Sequence, residues 1–197
     1  MALIEDPGAR RGAQEWAVWR VIIRALWPCE LEQFRQHLLR LDLATRIERF
    51  GRGVSAEWLS TYCDETDFIH GVVLGCWIEG RLVGVGELRR YDASWSPVAE
   101  VALSLEPAWQ NHGVGSLLAR RLLLSARNRG ITTLHMLSQA SNLRMLHILS
   151  RSGARMSYAG DQVEAELTLP PLTAASLAAE WLEESRARLG AFALPRS

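Results

Sequence analysis

The stretch from Val98 to Gly130 constrains this chain most, because it sets a strand, a glycine-bearing loop and a helix in immediate succession. From Ala99 to Leu105 apolar and polar residues alternate, with Val101, Leu103 and Leu105 on one side, the pattern of a half-buried strand. Pro107 lacks a backbone donor and ends the ladder. Leu117, Leu118, Leu122 and Ala126 then recur at helical spacing up to Gly130, which reads as a C-terminal cap. The segment Gln110-Asn111-His112-Gly113-Val114-Gly115-Ser116 therefore joins a strand to a helix N-terminus. Unpaired N–H groups and the helix dipole make such a junction an anion site. Glycines at 113 and 115 let backbone approach a bulky diphosphate.

Three kinds of phosphate loop fit that outline. A Walker loop needs Gly-Lys-Ser/Thr, and Gly115-Ser116 has no lysine between its residues. A dinucleotide fingerprint needs three glycines after the first strand of a βαβ unit, whereas this loop has two and lies mid-chain. The third is the Q/R-x-x-G-x-G/A loop that holds the pyrophosphate of acetyl-CoA, and Gln110, Gly113 and Gly115 match each of its fixed positions. On these residues the sequence resembles the GNAT superfamily of N-acetyltransferases. An ordinary strand–turn–helix with packing glycines stays open on so short a loop, so the rest of the chain must agree.

A length of 197 residues suits one domain with short appendages, and 48% apolar against 22% charged residues suits a packed core. The formal net charge is zero, which argues against nucleic acid or an acidic membrane as the main partner. No apolar run approaches the roughly 20 residues that span a bilayer. The N-terminal MALIEDPGARRGAQEW lacks a signal-peptide core, so a cytoplasmic location is expected. Cys29, Cys63 and Cys76 are odd in number and widely spaced, reading as thiols of a reducing compartment and not as a disulfide frame or zinc site. No metal site is expected. All 22 basic residues are arginine, a bias best explained by codon usage.

Residues 1–18, with Pro7, Gly8, Arg10 and Arg11, are expected to form a flexible arm. Residues 19–26 read as a strand ended by Pro28, and Leu31, Phe34, Leu38 and Leu41 as an amphipathic helix that continues towards Phe50. A second helix is predicted from Ser55, its N-cap, to Tyr62. Two β-rich runs, 71–78 and 81–90, flank Glu79-Gly80 as a hairpin. After Gly130 come a strand at 132–137, a helix capped by Ser141 or Asn142 and ending at Gly153, and strands at 154–158 and 163–169. Residues 170–197 form an extension with an amphipathic helix at 173–189, a candidate homodimer contact. The order predicts an α/β (α+β) fold: a mixed, mostly antiparallel sheet of six to seven strands flanked by helices, over residues 19–169.

This is the GNAT order of elements. The segments "IEGRLVGVGELR", "AEVALSLEPAWQNHGVGSLL" and "NLRMLHILSRSGA", with the first helix region ending in "RIERF", further resemble the acetyltransferase domain of bacterial Pat-type protein lysine acetyltransferases. The resemblance implies that acetyl-CoA is the cosubstrate. Its pantetheine would pair with backbone at Leu103, Ser104 and Leu105, and the amides of residues 110–116 would hold the pyrophosphate, with Arg120 and Arg121 assisting. Asn142 stands where the family often touches the cofactor, and it equally suits a plain helix N-cap. Transfer to an alkyl ammonium of pKa about 10.4 needs a base. Glu100, matching the family's Ala-Glu, is the candidate, with Glu87 the runner-up and Glu106 expected to be solvated. A backbone N–H near Leu103 or Leu105 would meet the oxyanion. Many members carry a tyrosine seven residues after the equivalent of Asn142 to protonate the leaving thiolate; here Leu149 stands there, and His147 lies about 200° round the helix.

The function implied is N-acetyl transfer from acetyl-CoA to a primary amine, a protein lysine or a small molecule, in a ternary complex. The acceptor groove is expected between the helices of residues 30–62 and the loop before Trp95, with Glu57, Asp64, Glu65 and Asp67 attracting the amine. The alternative, favoured by Leu149, is a non-catalytic acyl-CoA-binding sensor.

Overall fold

The computed structural model describes residues 2–5, 18–91 and 96–192. Its core is one sheet in the order β1-β2-β3-β4-β5-β6-β8-β7. The strands are β1 (Ala2–Glu5), β2 (Val18–Ala25), β3 (Val72–Ile78), β4 (Arg81–Arg90), β5 (Val98–Leu105), β6 (Thr133–Gln139), β7 (Arg155–Ala159) and β8 (Gln162–Thr168). Every neighbouring pair is antiparallel except β5–β6. Strands β2 to β8 are the seven that the sequence pattern predicts. The eighth, β1, corrects the expectation of a flexible arm for residues 2–5, which pair with β2 from Ala2–Val21 to Glu5–Val18; residues 6–17 lie outside the described residues.

The first helical region is also divided more finely than the apolar spacing suggested. It forms α1 (Leu31–Arg40) and α2 (Leu43–Phe50), followed by α3 (Ala56–Asp64). Asp42 causes the break: it sits in extended conformation and its carboxylate accepts from the Thr45 N–H at 2.8 Å, starting a new helix. Ser55 caps α3 through the Trp58 N–H, as expected. The β3–β4 hairpin turns at Glu79-Gly80, both with positive φ (51° and 80°), the backbone that suits strand twist.

Helices lie on both faces. On one, α4 (Val114–Asn128) and α5 (Leu143–Arg151) cover a core that includes Val101, Leu118, Leu122, Leu134 and Leu149. On the other, Phe34, Leu38, Leu59 and Cys63 from α1 and α3 pack on Ile22, Trp77 and Val85 of the sheet. Burying such side chains supplies about 2 kcal/mol each and fixes strand register, because a one-residue slip would turn every apolar face outward. The last helix, α6 (Ala174–Phe192), packs on β2 and α4 and begins with reciprocal Thr173–Ser176 bonds of 2.9 and 3.1 Å. No helix among the described residues is long and apolar enough to cross a membrane.

Candidate active site

The site arises from the one parallel pairing. Strands β5 and β6 are joined by only three residue pairs, Val98–Thr133, Ala99–Leu134 and Glu100–His135. Beyond Glu100 they part, β5 running on against β4 to Leu105 and β6 against β8 to Gln139. Helix α2 lies over the opening, in contact with both strands. The result is a cleft of about 580 Å³, lined among others by Leu103, Ser104, Leu105, Gln110, Asn111, Gly113, Gly115, Ser116 and Asn142. A salt bridge of 3.0 Å from Arg144 on α5 to Glu48 on α2 joins two helices of its wall.

The loop is shaped by backbone conformation. Asn111 (φ 64°) and Gly113 (φ 80°) both adopt the left-handed region, and Gly113 is the N-cap of α4. A Cβ on Gly113 would meet nothing within 4 Å, so glycine is required there for its φ and not for space. Leu117 donates to the Gly113 carbonyl at 3.1 Å, and the N–H groups of the preceding first turn have no carbonyl within the helix to bond. Gln110 has a different part from that expected. Its side-chain amide donates to the Leu105 carbonyl at 2.9 Å, bracing the loop against the end of β5, and its backbone N–H donates to the Pro107 carbonyl at 3.2 Å. Val114 is fully buried beneath the loop, and neither it nor His112 lines the cleft.

Asn142 is the N-cap of α5, its Oδ1 accepting from the Met145 N–H at 3.1 Å, and it lines the cleft as well. Arg120 and Arg121 are not brought to the loop. Arg121 is buried and bound to Glu183 and Glu184 of α6, and Arg120 lies 3.7 Å from Glu183. The cations on the cleft are instead Arg49 of α2 and Arg144 and Arg151 of α5, the last two beside His147 and Ile148. The seven-residue spacing of Arg144 and Arg151 puts them on one helix face, a signal present in the sequence but weaker than the Arg-Arg pair next to the loop. Leu149 points into the core (1% exposed), and it is His147 that reaches the cleft wall.

A second cavity of about 450 Å³ adjoins the first and shares Glu48, Arg49, Leu103 and Met145 with it. Strand alternation holds here: register sets Glu100 opposite Arg89 and Ala102 opposite Glu87 on the face covered by α2 and α3. Glu100 is exposed on the cavity wall and makes no hydrogen bond or ion pair with the described residues. Glu87 is the opposite case. Buried to 2% exposure, it accepts from Arg49 at 2.5 Å, Tyr62 at 2.8 Å and Arg89 at 3.2 Å. Burial opposes its charge, but the two guanidinium groups and the hydrogen bonds prevail and hold its carboxyl below the usual range. A carboxylate so held is a structural counter-ion and a poor base. Burial, reinforced by the Glu87 charge, pushes the Tyr62 hydroxyl up.

Two further expectations are corrected. Glu106 is 5% exposed rather than solvated: it binds Arg40 and Arg81 at 2.8 and 2.7 Å and faces His37 Nδ1 at 3.3 Å. Fully buried His37 in turn meets Ser104 Oγ at 2.9 Å through Nε2, tying α1 to β5. The acids Glu57, Asp64, Glu65 and Asp67 line neither cavity; Asp64 pairs with Arg35 and Asp67 closes a turn at Ile69 and His70. The segment 92–95 before the central strand lies outside the described residues.

The acetyltransferase (GNAT) family profile matches residues 20–154. Among solved structures, the GNAT domain of the S. lividans PAT protein is similar at 24% identity, with 78% of this chain and 92% of that one covered and a TM-score of 0.64. The yncA protein of Salmonella typhimurium, solved with its cofactor acetyl-CoA, aligns at 16% identity over 79% and 97% of the two chains, with a TM-score of 0.60. A cAMP-binding acyltransferase from Mycobacterium smegmatis aligns at 21% identity with a TM-score of 0.55; 97% of this chain is covered but only 56% of that longer one. No curated protein sequence matches. The structural likenesses agree on the fold, and with the family match over most of the sheet and its loop they show that the chain belongs to the GNAT acetyltransferase family.

Proposed function

We propose that the protein transfers an acetyl group from acetyl-CoA directly to a primary amine, with both substrates bound at once. The observation that carries this reading is the meeting of two cavities along β5. One is edged by a helix N-terminus suited to a diphosphate, and the other holds an exposed carboxylate, Glu100, with no ion pair among the described residues. Pantetheine lies in the first against the backbone of Leu103, Ser104 and Leu105, while the N–H groups of the loop and first turn of α4, helped by Arg144 and Arg151, hold the phosphates. Asn142 is placed on the same wall.

In the second cavity Glu100 takes the proton of the acceptor ammonium, directly or through water, as the amine nitrogen attacks the thioester carbonyl. A backbone N–H near Leu103 or Leu105 donates to the oxyanion. With no tyrosine at position 149, the thiol leaves as thiolate, which its pKa of about 8.5 permits near neutral pH.

Calorimetric titration with acetyl-CoA and with free CoA tests the first half. Micromolar binding that disappears in Gly113→Glu, where a carboxylate meets the phosphates, supports the loop assignment; failure of the native chain to bind removes it. Release of CoA thiol in the presence of lysine peptides and small amines tests the second half. Binding without release for any acceptor favours the acyl-CoA sensor.

A further inference from the structure

The acceptor cavity has a charge pattern that bears on its substrate. Six charged side chains line it: Glu48, Glu87, Glu100, Arg49, Arg52 and Arg89. Four have partners. Glu87 holds Arg49 and Arg89 at 2.5 and 3.2 Å, and Glu48 is taken by Arg144 at 3.0 Å. Two remain, one of each sign. Neither Arg52 nor Glu100 forms an ion pair with a described residue, although both border the same cavity.

Arg52 is held in place without a carboxylate. Its guanidinium sits over the Trp58 ring at 5.4 Å, and Trp58 stacks on Tyr62 at 5.3 Å, which is itself fixed by Glu87. A positioned guanidinium presents a planar fork of donors suited to a carboxylate. Among the described residues the wall carries three positive and three negative groups, so a bare cation meets no net attraction there and faces Arg52, which has no carboxylate partner among them. A molecule with an ammonium at one end and an anion at the other answers both unpaired groups, and about 450 Å³ suits a compact one.

We propose that the acceptor is a small zwitterion, an amine that also bears a carboxylate, with the amine at Glu100 and the carboxylate on Arg52. This rests on the acetyltransferase reading for its chemistry but can be tested without turnover. The probes are 5-aminopentanoate and pentylamine, matched in chain length and differing by the carboxylate. Each is titrated calorimetrically into protein saturated with free CoA. The expected result is at least tenfold tighter binding of 5-aminopentanoate, a preference lost in Arg52→Gln and partly kept in Arg52→Lys. Equal binding of the two probes, or a preference that survives Arg52→Gln, overturns the proposal. Thiol release from acetyl-CoA separates the two readings. Equal turnover of both amines leaves the acetyltransferase standing and removes the zwitterion; selective binding of 5-aminopentanoate without turnover does the reverse.

Discussion

Arg49 of α2 and Glu87 of β4 meet at 2.5 Å, with side-chain exposures of 10% and 3%. The pair pins α2 across the sheet at the boundary of the two cavities, since Arg49 lines both. Removing one partner strands a buried charge. Glu87→Gln is therefore expected to lower folding stability by about 3 kcal/mol, read as a shift of the urea midpoint.

Glu100 gives the contrasting outcome. It is exposed and makes no bond to the described residues, so Glu100→Gln should change stability by less than about 0.5 kcal/mol. As the proposed base, its loss should lower kcat by about 100-fold or more, with acetyl-CoA affinity unchanged. Full activity in Glu100→Gln would sink its catalytic role.

Gly113→Ala forces a Cβ residue to φ 80° in open space. The expected cost is about 1–2 kcal/mol, seen as a lower Tm. Gly115→Ala has an ordinary φ and meets Ile148 Cδ1 at 3.4 Å and Leu105 Cδ2 at 4.0 Å, so it should be milder, and a reversed order of the two would refute this account.

Burial holds His37 neutral and its pKa below 6.5, against the raising influence of Glu106. The unfolded chain takes up a proton near pH 6.5 that the folded protein resists, so stability should fall as pH drops through that value. Glu106 adds to the loss further down. Burial raises its pKa, but hydrogen bonds from His37 and Arg40 depress it below 4.5, and that contribution is present above 4.5 and disappears as pH falls through the lower folded value. Thermal melts between pH 7.5 and 5.5 isolate the His37 step, and His37→Gln should flatten it.

Arg151 lines the cleft beside the 110–116 loop from the end of α5. Arg151→Gln should weaken acetyl-CoA binding by about tenfold at low ionic strength, with the difference narrowing as salt screens the phosphates. An unchanged affinity would place the phosphates elsewhere.

The fold was largely legible because its signals are local. Alternation marked β5, Gly80 and Gly153 stand at a turn and a helix end, and Ser55 and Asn142 announce helix starts that the structure places within a residue. Asp42 was the missed local signal, hidden inside an apolar spacing that runs on regardless. Side-chain pairing was not legible. Glu87 and Glu106 are locked chiefly by guanidinium groups 25 to 66 residues away in sequence, Arg49, Arg40 and Arg81, and no such group reaches Glu100 among the described residues. The role of Arg121 likewise depended on α6, whose acids meet it only after the chain has closed.

The three residue pairs between β5 and β6 divide the sheet into two panels, β1 to β5 and β6 to β8, hinged at one end. Past that hinge, the backbone of residues 101–105 has no strand among the described residues opposite it on the side away from β4, so the protein carries a sheet edge between its two panels. A ligand that pairs there acts as a missing strand, and the two panels then resist being pried apart. Those amide hydrogens of residues 101–105 that point away from β4 should exchange fast in the empty protein and slow with CoA bound, and heat resistance should rise with the length of the pantetheine arm supplied.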